Sequence, residues 1–355
     1  MSDIRVKAGK HVFAMIQDGG FDLDRVTTFI GPGAGPRWLI ASGFDSTLVR
    51  SDLLGRRKPV LLVGSSAGAL RLAAWLQPEF EKSYQALVDS YLSLVFSRRD
   101  NRRTILRAIS NLIDEYVEND ALPFALRNRR FRIAVITARS RAMTASEIPP
   151  ILGAGLGAAF LANAVHSSLM HRFFSRVVFY NGPIVPRFCL DRSFRGETVA
   201  LNEINFKHAL LATSAIPLAV SGVRDIYGAR TGVYRDGGLM DYHLNQRYAA
   251  TDEEVTLFFH HQERIIPAWM DKKLPYRKPR PGVLDSVLMV HLSEDFVEKL
   301  PGGRVPDRTD FRTYAGDPET RIAYWRKAVE LAAPLGEQFL DLVAGGRLRQ
   351  VVEKL

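Results

Sequence analysis

Val60-Leu-Leu-Val-Gly-Ser-Ser66-Ala-Gly-Ala-Leu70 sets the frame for this 355-residue chain. Four consecutive apolar residues, Val60 to Val63, have the pattern of a strand buried on both faces of a parallel sheet. Gly64 ends the run, and Ala67 to Gln77 then reads as a helix stopped by Pro78. Strand, turn and helix therefore meet at Ser66, the setting that a G-x-S-x-G nucleophile elbow requires. Gly64 and Gly68 keep side chains out of the tight turn and let Oγ of Ser66 point out of the end of the sheet. The N-terminus of the following helix favours negative charge developing beside that oxygen. The competing reading is a small-residue turn that only allows close strand–helix packing.

Outward from the elbow the same alternation repeats. Arg25–Ile30, Phe131–Thr137, Arg176–Tyr180, Val255–Phe259 and Val287–Val290 read as further strands, and Tyr180 leads into a turn. Trp38–Leu48, Phe80–Leu94, Arg103–Val117 and Phe206–Thr213 show helical periodicity. This predicts an α/β fold with a mostly parallel sheet and helices on both faces. With 46% hydrophobic residues the chain has ample material for a large core. No repeat or low-complexity tract interrupts it. From Pro301 the composition turns polar and helical, which predicts a catalytic domain over 1–300 and a helical C-terminal extension over 301–355 packed on it.

Two more segments bear on chemistry. Tyr234-Arg-Asp236-Gly-Gly238 taken alone is an ordinary turn, and Ala212-Thr-Ser-Ala-Ile-Pro217 is another small-residue stretch. In order, the Ser66 elbow, Ala-Thr-Ser-Ala-Ile-Pro and Asp236-Gly237-Gly238 resemble the patatin-like phospholipases, over a span from about residue 25 to about residue 245. The resemblance implies a three-layer α/β/α fold with a Ser–Asp dyad. Ser66 would be the nucleophile and Asp236 the general base that later returns the proton to the leaving group. It also implies an oxyanion loop after the first strand, where Gly31-Pro-Gly-Ala-Gly-Pro-Arg37 lies. Proline has no N–H, so the donors fall to Gly33, Ala34, Gly35 or Arg37. The loop departs from the family's three consecutive glycines followed by a basic residue. Its G-x-G-x-G spacing does not suit a dinucleotide.

A Ser–His–Asp triad is the rival arrangement, with Ser66, Asp236 and His260 or His291 in the chain order of the α/β-hydrolases; His243 and His261 are further candidates. The dyad is favoured because it explains Asp-Gly-Gly and Ala-Ile-Pro. The expected activity is hydrolysis of carboxylic esters of phospholipids through an acyl-Ser66 intermediate, with no metal or organic cofactor. The alternatives are a soluble esterase, thioesterase or acyltransferase using the same site, or a catalytically silent lipid-binding protein.

The net charge of +10 arises from 48 Lys and Arg against 38 Asp and Glu. The excess clusters at Arg56–Lys58, Arg98–Arg103, Arg127–Arg130 and Lys272–Arg280. No zinc-finger spacing or aromatic RNA-binding signature accompanies these clusters. Nucleic acid is therefore not expected, and peripheral contact with an anionic membrane is. Cys189, the single cysteine, allows no intrachain disulfide and fits a reducing compartment. Met1–Gly20 lacks the apolar core of a secretory signal, so a cytoplasmic protein is expected, possibly on the inner face of a membrane. Ile148–Met170 carries no formal charge. It reads as a buried helix, with an interfacial lid as the alternative; Asn163, His166, Ser167 and Ser168 argue against a membrane span.

Overall fold

The computed structural model describes residues 2–97, 99–243 and 245–355; Arg98, in one of the basic clusters, lies outside the described residues. The strands are β1 (Ile4–Ala8), β2 (Val26–Gly31), β3 (Val60–Ser65), β4 (Phe131–Ser140), β5 (Phe174–Tyr180), β6 (Gly196–Ala200), β7 (Val223–Arg224), β8 (Val233–Asp236), β9 (Val255–His260), β10 (Val287–Leu292) and β11 (Val352–Lys354). They form one mixed, mostly parallel sheet in the order β11-β1-β10-β9-β2-β3-β4-β5-β6, with β8 on β4 and β7 on β8. The six runs read from sequence are β2, β3, β4, β5, β9 and β10. The central ones, β10, β9, β2, β3 and β4, pair in parallel.

The helices are α1 (Lys10–Gln17), α2 (Ser42–Arg50), α3 (Ala67–Ala74), α4 (Phe80–Leu92), α5 (Arg102–Tyr116), α6 (Leu122–Arg127), α7 (Pro149–Val165), α8 (Phe206–Thr213), α9 (Glu294–Lys299), α10 (Asp310–Thr313), α11 (Pro318–Ala332), α12 (Leu335–Ala344) and α13 (Leu348–Val351). Alternate residues of each strand serve different cores, as the pleat requires. Val60, Leu62, Ile133, Val135, Leu257 and Val290 join the core packed under α2, α3, α4, α5, α8 and α11. Val63, Ala134, Ile136, Phe258 and Met289 face a smaller core closed by irregular segments carrying Phe188, Phe194, Tyr248, Ile265 and Val283. α7 covers a third cluster with Ala138, Phe174, Leu239 and Met270. Most helices therefore lie on one face, and the other carries mainly loops and α7.

Residues 301–355 share the main core through Trp325, Ala328, Ala332, Leu335 and Phe339. They also end in a strand the sequence did not suggest: β11 pairs in parallel with β1, Val6 opposite Val352.

The expectation of a buried helix over Ile148–Met170 is corrected. α7 packs Leu152, Gly155, Ala159 and Asn163 inward but leaves Ile151 at 40%, Leu161 at 67% and Val165 at 80% exposed, and Ile148, just before it, is 57% exposed. Its mean hydropathy misled because the helix is apolar on both sides, and apolarity alone does not tell packed from open surface. Among the described residues no helix is long and apolar enough to cross a membrane.

Candidate active site

Register brings the two key residues together. β3 runs alongside β4 only as far as Ser65, opposite Ile136. One step further along β4, the antiparallel β8 ends with Asp236 opposite Thr137. The last residue of β8 thus faces the turn that follows β3, although 170 positions separate Ser66 from Asp236. The Ser66 hydroxyl donates to Asp236 Oδ2 at 2.8 Å.

The elbow is built as its composition requires. Ser66 sits at φ 52°, ψ −136°, a conformation that L-residues rarely adopt, immediately before α3. A Cβ on Gly68 would lie 2.0 Å from the Gly31 carbonyl oxygen, and one on Gly64 would meet Ala69 N at 2.7 Å. Both glycines are therefore required for β2, β3 and α3 to approach so closely. The Ser66 N–H donates to Thr213 Oγ1 at 2.8 Å, and the Thr213 hydroxyl donates to the Ile136 carbonyl at 2.5 Å. The Ala-Thr-Ser segment is thus the clamp that holds the strained turn.

Asp236 is buried, and its Oδ1 accepts from Gly238 N at 2.7 Å. Gly237 lies so close to β4 that a Cβ there would sit 1.9 Å from the Ile136 carbonyl oxygen. Burial pushes the Asp236 carboxyl above its ordinary value, opposed by the bonds from Ser66 and Gly238 and by the charges of Arg308 and Lys272. Lys272 itself is lowered to about 7, first by burial and then by Arg308 and Arg37; its ammonium lies 4.0 Å from the Tyr242 ring centroid.

The oxyanion assignments need correction at two of four positions. The Gly33 N–H donates to the Tyr242 carbonyl at 2.6 Å and so is already engaged. Arg37 lies outside the pocket that Ser66 lines and borders a separate one with Trp38 and His261, and its guanidinium pairs with Asp307. Ala34 and Gly35 line the pocket with Ser66, and no acceptor among the described residues takes their N–H groups. The amide of Ala67, at the N-terminus of α3, is likewise unbonded and lines the adjoining cavity. Sequence reasoning passed over Ala67, although its place directly after Ser66 was the available signal. The 236–242 segment is fastened to this loop: Ser65 Oγ donates to the Asp241 carbonyl at 2.7 Å, and buried Asp241 is held by both Nε and Nη2 of Arg176.

The rival histidines stand apart. His243 stacks on Tyr242 with centroids 4.3 Å apart and meets His260 edge-on at 4.2 Å, and its Nδ1 accepts from Ile266 N at 3.0 Å. His260 bonds through Nδ1 to the Gln262 carbonyl and is lowered to about 3, chiefly by burial. His291 bonds through Nδ1 to Leu292 O. Among the described residues no imidazole bonds to Ser66 or Asp236, so the triad is not assembled.

Two cavities meet at Ser66. A narrow one is bounded by Ile216, Leu239, Tyr242, Trp269, Lys272 and Arg308. The other, of about 400 Å³, extends between α4, α5 and the 308–312 segment, with Leu70, Tyr91, Phe96, Ile105, Ile109 and Phe311 among its walls. Arg308 stands at the junction of both. Arg308 was not read from the sequence, and Lys272 only as the start of the Lys272–Arg280 basic cluster, with no place in the site. The arrangement offers a hydroxyl hydrogen-bonded to a carboxylate, unbonded amides nearby, an apolar cavity and two cations. No protein-family model matches the chain, and no curated protein matches it significantly.

Proposed function

We propose that this protein is a lipid acyl hydrolase of the patatin-like type, in which α7 and the irregular segments beside it make the thinner outer layer of a three-layer α/β/α architecture, cleaving carboxylic esters of phospholipids through an acyl-Ser66 intermediate. The observation that carries this reading is the Ser66–Asp236 hydrogen bond at the foot of an apolar cavity of about 400 Å³. A cavity of that size and lining suits an acyl chain. Arg308 and Lys272 supply positive charge where a phosphate on the substrate would lie.

In the proposed reaction, Asp236 takes the proton of Ser66 as Oγ adds to the ester carbonyl carbon. The carbonyl oxygen becomes an oxyanion, stabilised by the amides of Ala34, Gly35 and Ala67 and by the positive end of α3. Collapse breaks the ester bond, and protonated Asp236 gives its proton to the departing alkoxide. Water, deprotonated by Asp236, then attacks the acyl carbonyl and releases the fatty acid with Ser66 restored. The raised pKa of Asp236 brings a weak base closer to its task.

The test is fatty acid release from mixed anionic phospholipid vesicles by wild type, Ser66→Ala and Asp236→Asn. Wild type is expected to release fatty acid, with both variants reduced by about 10³-fold or more. Persistence in Asp236→Asn with loss in Ser66→Ala would point to another base. No release by folded wild type from vesicles or a short soluble ester would end the hydrolase reading.

A further inference from the structure

Beside the catalytic pocket lies a second, larger cleft of about 510 Å³, bounded by the C-terminal end of α7, the 192–195 segment and the 277–280 segment. Its character is cationic. Arg192, Arg195 and Lys278 line it and form no ion pair or hydrogen bond through their side chains among the described residues. Arg280 donates only to neutral acceptors, Asn245 O and Gln246 Oε1, each at 3.2 Å. The lining carboxylate, Asp271, is already committed: Asn163 Nδ2 reaches it at 2.7 Å, the Ala268 N–H at 3.1 Å and Arg277 Nε at 3.3 Å. A concave surface with this much uncompensated positive charge calls for an anion with several acceptor oxygens.

What adjoins the cleft says where that anion resides. The outer face of α7 presents Ile151, Leu161 and Val165 to solvent, with Ile148 exposed just before it, and no formal charge occurs from Ile148 to Val165. The helix ends at Val165, and His166 already lines the cleft. Tyr276, 62% exposed, stands at the same edge with its hydroxyl on Ala164 O at 3.2 Å. An apolar helix face, an amphipathic aromatic ring and a basic cleft in sequence match the hydrocarbon, interface and headgroup zones of a bilayer.

We propose that this cleft seats the phosphate headgroup of an anionic phospholipid in the bilayer on which the outer face of α7 rests. The choice of a membrane lipid over a soluble phosphate compound rests on the lipid-hydrolase reading and on the apolar face of α7. One tight turn, Trp269–Lys273, joins the two sites. Asp271 lines the cleft while Trp269 and Lys272 line the catalytic pocket. Docking at the cleft therefore sets the catalytic mouth beside the membrane surface.

The experiment measures flotation of the Ser66→Ala protein with phosphatidylcholine vesicles, with or without about 30% phosphatidylglycerol. Strong binding is expected only with the anionic lipid. Arg192→Glu combined with Lys278→Glu, both exposed positions, is expected to weaken it by about tenfold or more. Leu161→Asp combined with Val165→Asp is expected to weaken it comparably. In the Ser66 background each pair should leave hydrolysis of a short soluble ester unchanged, which establishes that the fold and dyad are intact. Undiminished flotation of the Arg192→Glu/Lys278→Glu protein would overturn the proposal. So would absence of vesicle binding by a protein that binds inorganic phosphate through the same two residues. Flotation as expected, with no fatty acid release by wild type, would retire the hydrolase reading and leave the docking site standing.

Discussion

The two large cavities differ in chemistry more than in size. The one of about 400 Å³ that opens on Ser66 is walled by α4, α5 and the C-terminal segment, where helices pack apolar faces against the sheet. The cleft of about 510 Å³ is walled by loops and the end of α7, on the face where irregular chain does the covering. Helices bury their backbone polar groups internally and present side-chain surface, so they make greasy walls. Loops present long polar side chains, so they make charged ones. The elbow stands at the edge of the first cavity, and a single turn separates it from the second. The proposed division of labour follows: acyl chain on the helical side, headgroup charge on the loop side.

The most forceful way to break that division is to put a charge into the apolar cavity. Ile109→Asp would place a carboxylate against the expected acyl chain, lowering kcat/KM for long-chain esters by about 100-fold while changing a butyrate ester by only a few-fold. Equal losses on both substrates would show that Ile109 acts on the fold and not on the chain. A pH profile tests the catalytic side at somewhat smaller cost. In the proposed reaction Asp236 acts as base only when ionised, and burial raises its pKa above 3.8. Activity is therefore full above the raised pKa and falls about tenfold per unit as pH drops through it. An acid limb at or below the ordinary carboxylate value would contradict this.

Lys272 sharpens the comparison on the charged side. With its pKa lowered to about 7, it carries its charge below that pH and loses it above. The preference for anionic over zwitterionic phospholipid should fall a few-fold between about pH 6 and about pH 8, and Lys272→Met should flatten the change. The smallest expected effect is His260→Asn, whose amide nitrogen can replace Nδ1 on the Gln262 carbonyl. Activity should stay within about twofold. A thousandfold loss with the fold retained would restore a histidine to the mechanism.

Local pattern carried the reading far. Val60–Val63, Gly64 and the helix after Ser66 specify the elbow by themselves, because strand, turn and helix there are adjacent in sequence and use only short-range rules. The apolar strands were legible for the same reason. β8 was not, being four residues long, and β11 was not, since Val352–Lys354 is short, polar and ends a helical tail. The Gly33 amide read as a free donor because nothing in Gly31–Arg37 announces that the Tyr242 carbonyl, 209 positions on, would occupy it. α7 read as buried because hydrophobicity records what a residue prefers and not whether a partner covers it.

Sequence alone thus determined the α/β pattern, the elbow and the identity of Ser66 and Asp236 as candidates. Only tertiary structure decided that they meet, since that depends on β3 and β8 ending one residue apart along β4. Tertiary structure also decided which basic residues matter. The run from Lys272 to Arg280 is one cluster in sequence, but the fold sends Lys272 into the pocket beside Ser66 and Lys278 and Arg280 into the basic cleft. Charge is a property of composition, while the field it creates depends on where packing leaves it without a counter-ion.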